Sequence, residues 1–272
     1  MGMSATGQTR LINGMEMYYE TRGEGEPLVL LHGFTGSGAD WGLVFEQPPK
    51  GYRLVIPDLR GHGRSTNPSK TFTFRQSALD VFGLLDQLEI ERFRAVGLSG
   101  GAKTLLHMAT QQPTRVEAIV LVSGAHYFPE PAWAVMRQMT VDGRTEEEWR
   151  VMRQRHKHGD DQIRALWTQG HAFKDSYDDM NFTPPDLATI TARTLIVHGD
   201  RDPLYPINIP LEMYTSIPRS SLWIIPNGGH GPIFSDMTDR FIEIALAFLC
   251  GEWERAEDVA QDGNAWREPK SE

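Results

Sequence analysis

Short apolar runs punctuate the chain at Pro27–Leu31, Tyr52–Ile56, Phe93–Gly97, Val116–Val122, Thr194–His198 and Ser221–Ile225. Several are continuous rather than alternating, the pattern of strands covered on both faces in a parallel sheet. Ahead of them, Arg10–Glu20 sets Asn13-Gly14 between β-prone residues, which predicts a hairpin with a tight two-residue turn. Between the runs the period changes. Ala78, Val81, Phe82, Leu85 and Leu88 recur at helical spacing, as do Phe241, Ile244, Ala245 and Phe248. Strands alternating with helices behind an opening hairpin predict a mostly parallel, doubly wound α/β sheet. One segment breaks the rhythm. From Ala125 to Pro185 no strand pattern appears, and Trp133, Met136, Met139, Trp149, Met152, Trp167 and Phe173 stand among many charges. It reads as a helical cap (residues 125–185) inserted after the sixth strand, over a core made of residues 1–124 and 186–253.

Composition narrows the class. With 272 residues, 40% apolar and 23% charged, the chain is an ordinary globular protein rather than a disordered or fibrous one. Near the C-terminus the longest apolar run is Ile244–Cys250, far short of the roughly 20 residues that cross a bilayer, so no membrane association is expected. Lysine plus arginine is 27 against 36 aspartate plus glutamate, a formal charge of −9, which argues against a nucleic-acid partner. Glu252–Glu272 carries −4 of that −9, and residues 254–272 are read as an acidic, solvated C-terminal extension. A single cysteine, Cys250, allows no intrachain disulfide, and the first ten residues carry no secretory pattern, so a reducing cytoplasm is the expected location.

Chemistry concentrates at Gly97-Leu98-Ser99-Gly100-Gly101, of the form G-x-S-x-G. Its context makes it informative: a strand run ends at Gly97 and a helix-like segment, Ala102–Thr110, follows. A serine on a strained strand-to-helix turn lifts its hydroxyl off the sheet and needs small neighbours. A dinucleotide-binding glycine loop is the rival, and it fails because Ser99 stands where that loop needs glycine. A serine nucleophile needs a base, and the base an orienting carboxylate. Of nine histidines, His230 lies in Asn227–Pro232, a flexible loop directly after the last strand, where ligand chemistry gathers in parallel sheets. His198 ends a strand and reads as structural, while His156 and His158 read as part of a solvated cap face. For the carboxylate, Gly199–Pro203 offers Asp200 and Asp202; Asp202 is the choice, with Asp200 bracing the turn. Gly100 and the loop at His32-Gly33-Phe34 are placed to give backbone N–H groups to an oxyanion.

These residues, together with Pro57–Ser65, resemble the α/β-hydrolase family over roughly Met15–Trp253, in the chain order serine, aspartate, histidine. The resemblance implies Ser99 as nucleophile, His230 as general base and then acid, Asp202 as its partner, and Phe34 and Gly100 as oxyanion-hole amides. It gives Asp58–Ser65 an architectural role and needs neither metal nor organic cofactor. Serine at position 99 argues against haloalkane dehalogenases and epoxide hydrolases, which resemble the family but carry a carboxylate there. Gly100 replaces a larger residue common in related esterases, which implies extra room beside the oxyanion hole.

The expected activity is hydrolysis of a carboxylic ester or lactone, such as an acyl-homoserine lactone, through an acyl-enzyme on Ser99. Cofactor-free perhydrolysis and carbon–carbon bond hydrolysis use the same triad, and a small-molecule receptor is a further alternative. Carbon–carbon hydrolases usually call for a cation in the cleft; the cap offers Arg137, Arg144, Arg150, Arg153, Arg155 and Arg164. The partner is a small molecule, and the sequence leaves the oligomeric state open.

Overall fold

A computed structural model of the chain describes residues 6–253; the acidic extension lies outside them. Strands β1 (Thr6–Ile12) and β2 (Met15–Gly23) form the opening hairpin. Asn13 and Gly14 both take positive φ, 46° and 77°, as the primed turn of such a hairpin requires. Then follow β3 (Glu26–Leu31), β4 (Tyr52–Pro57), α1 (Phe74–Gln87), β5 (Phe93–Leu98), α2 (Gly100–Gln111) and β6 (Val116–Val122). After four further helices come β7 (Arg193–Gly199), α7 (Asn208–Ser216), β8 (Ser220–Ile225) and α8 (Thr238–Leu249). The sheet order is β1-β2-β4-β3-β5-β6-β7-β8, antiparallel only where β2 meets β1 and β4.

The continuous apolar runs are explained by burial on both faces. Along β3, Leu28 and Leu30 join one core cluster while Val29 and Leu31 join the other. The same alternation holds in β6, where Val120 and Val122 face Trp41 and the α8 side, and Ile119 and Leu121 face the layer of α1 and α2. Each strand residue therefore exchanges water for packed side chains, and neither face can tolerate a polar period.

Between β6 and β7 lie α3 (Glu130–Gln138), α4 (Glu146–Arg155), α5 (Asp160–Ala172) and the short α6 (Pro184–Leu187). Their own small core is Met152, Ile163, Leu166 and Trp167, with Trp149 edge-on to Trp167 at 4.5 Å. Phe173 and Met136 instead join the main core. Polar contacts fasten this segment to the sheet. Asp179 accepts hydrogen bonds from the N–H groups of Phe74 and Arg75 at 2.7 and 3.0 Å, capping the start of α1. His156 is 2% exposed, not part of a solvated face. Its Nδ1 accepts the Gly63 N–H at 2.9 Å and its Nε2 donates to the Thr35 carbonyl at 3.1 Å. Both partners are distant in sequence, which is why charged neighbours alone misplace this histidine. His158 is exposed as expected. Among the described residues, no helix is long and apolar enough to cross a membrane.

Candidate active site

Ser99 stands between β5 and α2 with φ 50° and ψ −103°, a conformation that a non-glycine residue adopts only under strain. Its neighbours explain how the turn closes. A methyl on Gly97 would come within 2.6 Å of the Ala102 nitrogen, and one on Gly101 within 2.1 Å of the Leu31 carbonyl oxygen. The Ser99 N–H is held by the Val122 carbonyl at 2.8 Å, and its own carbonyl accepts from Lys103 N–H at 3.1 Å. The serine is thus fixed between the adjacent strand and the first turn of α2.

The loop after β3 packs against this elbow. A methyl on Gly100 would come within 2.8 Å of the Phe34 amide nitrogen and 3.4 Å of the Phe74 ring. The two amides read as oxyanion donors are therefore immediate neighbours. The room implied by glycine at position 100 is taken up by the Phe34 backbone and the Phe74 ring, so it does not widen the cleft. His32 braces the loop: its Nε2 accepts the Leu59 N–H at 3.0 Å and its Nδ1 donates to the Gly33 carbonyl at 2.7 Å. Burial lowers the His32 pKa, which suits a ring that must keep one nitrogen free to accept. Asp58 accepts from Gly38 N–H at 2.7 Å and Arg64 N–H at 2.8 Å, a bracing arrangement within its own loops.

At the far end of the sheet, His230 Nδ1 donates to Asp202 Oδ2 at 2.8 Å. The Asp202 side chain is fully buried, and its Oδ1 accepts from the N–H groups of Leu204 and Tyr205. Burial pushes its pKa up, but the bond from His230, its charge and the Leu204 amide outweigh that and hold it below the ordinary value. Asp200, by contrast, is exposed. His198 is fully buried with Nε2 donating to the Tyr205 carbonyl, as a structural histidine should be.

His230 and the elbow meet through the next residue. Gly231 N–H donates to Ser123 Oγ at 3.0 Å, and Ser123 directly follows the Val122 that holds Ser99. Among the described residues, a hydrogen bond joins Asp202 to His230 and none joins Ser99 to His230. Contacts of the second kind are commonly long before substrate arrives. A cavity of about 640 Å³ opens between Arg60–Lys70 and α5, but neither Ser99, Asp202 nor His230 lines it.

Sequence reasoning missed two residues here, Tyr205 and Lys103. The Tyr205 ring lies 5.6 Å from that of His230, and the Lys103 ammonium lies 4.5 Å from the Tyr205 ring. A lysine just inside a helix ordinarily signals solvent, so only its spacing of four from Ser99 hinted at a shared helix face.

Comparison with known proteins gives concordant relatives. A model described as the alpha/beta hydrolase family matches residues 28–244. A 2-hydroxy-6-oxononadienedioate/2-hydroxy-6-oxononatrienedioate hydrolase of Pseudomonas putida is 30% identical, over 86% of this chain and 92% of its own length. The serine hydrolase BPHL of Homo sapiens is 27% identical, over 91% of this chain and 88% of its own. Among solved structures, a meta-cleavage product hydrolase of Pseudomonas fluorescens IP01 aligns with a TM-score of 0.73 and 26% identity, over 89% of this chain and 97% of that one.

Proposed function

The chain belongs to the alpha/beta hydrolase family, and from that premise we propose that it hydrolyses carboxylic esters or lactones through an acyl-enzyme on Ser99. The observation that carries this reading is the buried Asp202 bonded to His230 Nδ1 at 2.8 Å, which leaves Nε2 free to act as a base. Ser99 Oγ adds to the carbonyl carbon as His230 Nε2 takes its proton. The oxyanion is held by the amides of Phe34 and Gly100, with the N-terminus of α2 behind them. Collapse expels the alcohol, which receives the proton from His230. Water then gives a proton to His230 and adds to the acyl carbon; Ser99 leaves with that proton, and a carboxylic acid departs.

Carbon–carbon hydrolysis by the same residues is the second reading, favoured by the Pseudomonas putida relative, whose name is that of an oxo-dienedioate hydrolase. A pH-stat assay over aliphatic esters, lactones and a dienone acid separates the two. Ser99→Ala is expected to lower turnover at least roughly 10³-fold, as when a triad loses its nucleophile. Retention within about tenfold would contradict Ser99 as nucleophile. Fast cleavage of the dienone acid alone would move the assignment to carbon–carbon chemistry.

A further inference from the structure

Lys103 is a buried amine that no described residue pairs with directly. It lies one turn beyond Ser99 on α2, its N–H on the Ser99 carbonyl, and long helical side chains lean back over the preceding turn, here toward the elbow. It is 2% exposed, and among the described residues its ammonium has neither a hydrogen bond nor an ion pair. Three rings surround it instead: Tyr205 at 4.5 Å, Phe128 at 5.5 Å and Phe74 at 5.7 Å from their centroids.

Those rings belong to the reaction site. Tyr205 touches the His230 ring and gives its N–H to Asp202. Phe74 stands against Gly100. Phe128 stacks on Phe173, which packs edge-on against Phe34 at 4.7 Å. The cation therefore lies within one aromatic shell with the nucleophile's turn, the base and the oxyanion loop. Aromatic faces soften the cost of burying an ammonium without cancelling it. Burial pushes its pKa down to about 7 against the upward pull of Asp202. An anion on that nitrogen would supply the missing partner and hold it charged.

The cap's arginines are committed elsewhere. Arg137 pairs with Glu130, Arg144 with Glu148, Arg150 with Glu147, Arg153 with Glu146 and Asp160, and Arg155 with Asp40. Arg164 lies over Trp149.

We infer that Lys103 is the substrate-anchoring cation of this site, and that the substrate of the proposed hydrolysis carries a free carboxylate that pairs with its ammonium. The inference deepens the ester or lactone reading, rests on it for the identity of the reaction, and holds for a carbon–carbon substrate as well. It requires no chemistry from Lys103, only charge pairing away from the scissile bond.

Two para-nitrophenyl esters test it: the pentanoate and the hydrogen glutarate, in which a carboxylate replaces the terminal methyl. Wild-type protein is expected to favour the glutarate ester in kcat/KM. Lys103→Met keeps length and apolar bulk among the rings and is expected to lose at least roughly 30-fold on the glutarate ester, mostly in KM, since an anion would be left unpaired in a buried site. Its loss on the pentanoate should be at least several-fold smaller than on the glutarate ester, so that the preference collapses, and Lys103→Arg should retain the preference. Calorimetric titration of glutarate and of neutral pentanamide into both proteins reads the site without turnover. If neither ester is cleaved while glutarate alone binds wild type and not Lys103→Met, the anion site stands and the ester reading falls. If both esters are cleaved in a Ser99-dependent way with no preference in wild type, or with equal losses in Lys103→Met, the anchor is overturned. Should Lys103→Met fail to fold, the wild-type preference and the glutarate–pentanamide contrast decide alone.

Discussion

The outer face of the cap and the floor beneath the elbow hold their charges in opposite ways. On the cap, Arg150 and Arg153 sit beside Glu147, Glu146 and Asp160 in water, where pairing is strong in distance and weak in energy. On the floor, Lys103 has no ion-pair partner among the described residues, and the carboxylate that pulls on it, Asp202, is already bonded by His230, Leu204 and Tyr205. Abundant paired charge marks a solvated surface. The solitary buried amine is where the proposed substrate carboxylate would pair.

The sharpest way to break this contrast is at the carboxylate bonded to His230. Asp202→Asn removes the charge and reverses the preferred tautomer of His230, and turnover is expected to fall by about 10³–10⁴-fold with the fold retained. A fall under about tenfold would show that the interior bond orients nothing of consequence. Next in size is the join between the two regions. His156→Leu leaves the Gly63 N–H and the Thr35 carbonyl without partners, a cost of about 1–3 kcal/mol that a denaturant melt would register. Burial lowers the His156 pKa to about 4 from an ordinary 6.5. Between those values the unfolded chain binds a proton that the folded chain refuses. Wild-type stability therefore falls as pH drops from 6.5 toward 4, and His156→Leu should lack that part of the acid loss.

Lys103 carries the same logic at higher pH. Its folded value near 7 lies below the ordinary 10.5, so across that window the unfolded chain holds the extra proton and wild-type stability rises with pH. The melting temperature of Lys103→Met should exceed that of wild type most at neutral pH, and the gap should narrow toward the upper end of the window. A gap independent of pH would mean the lysine is not buried as a charge. The smallest effect belongs to the surface. Arg150→Ala is expected to leave melting temperature and kcat/KM unchanged within error, and any marked loss of activity would make the cap's outer face part of the site.

How much of this was legible depended on where the cause lay. The strands were legible because burial on both faces writes itself as unbroken apolar runs, as in Val116–Val122. The strained turn at Ser99 and the pairing of Asp202 with His230 were legible because each residue follows a strand among glycines or prolines that only a sharp turn explains. His156 was not, since its partners Gly63 and Thr35 lie 93 and 121 residues away. Lys103 was hidden for the same reason: Phe74, Phe128 and Tyr205 come from three separate segments, and no local pattern announces that they close over one ammonium. The room read at Gly100 was misjudged because the loop that fills it arrives from β3.

The bond from His156 to Thr35 has a mechanical consequence. Thr35 follows Phe34, so the fourth helix of the chain and the amide assigned to the oxyanion hang on one short length of backbone. A displacement of α4 away from the sheet pulls on that backbone before it opens any path to Ser99. If Phe34 N–H serves the proposed oxyanion, lifting the helices and slackening that donor would be one motion, with the seated α4 acting as a latch.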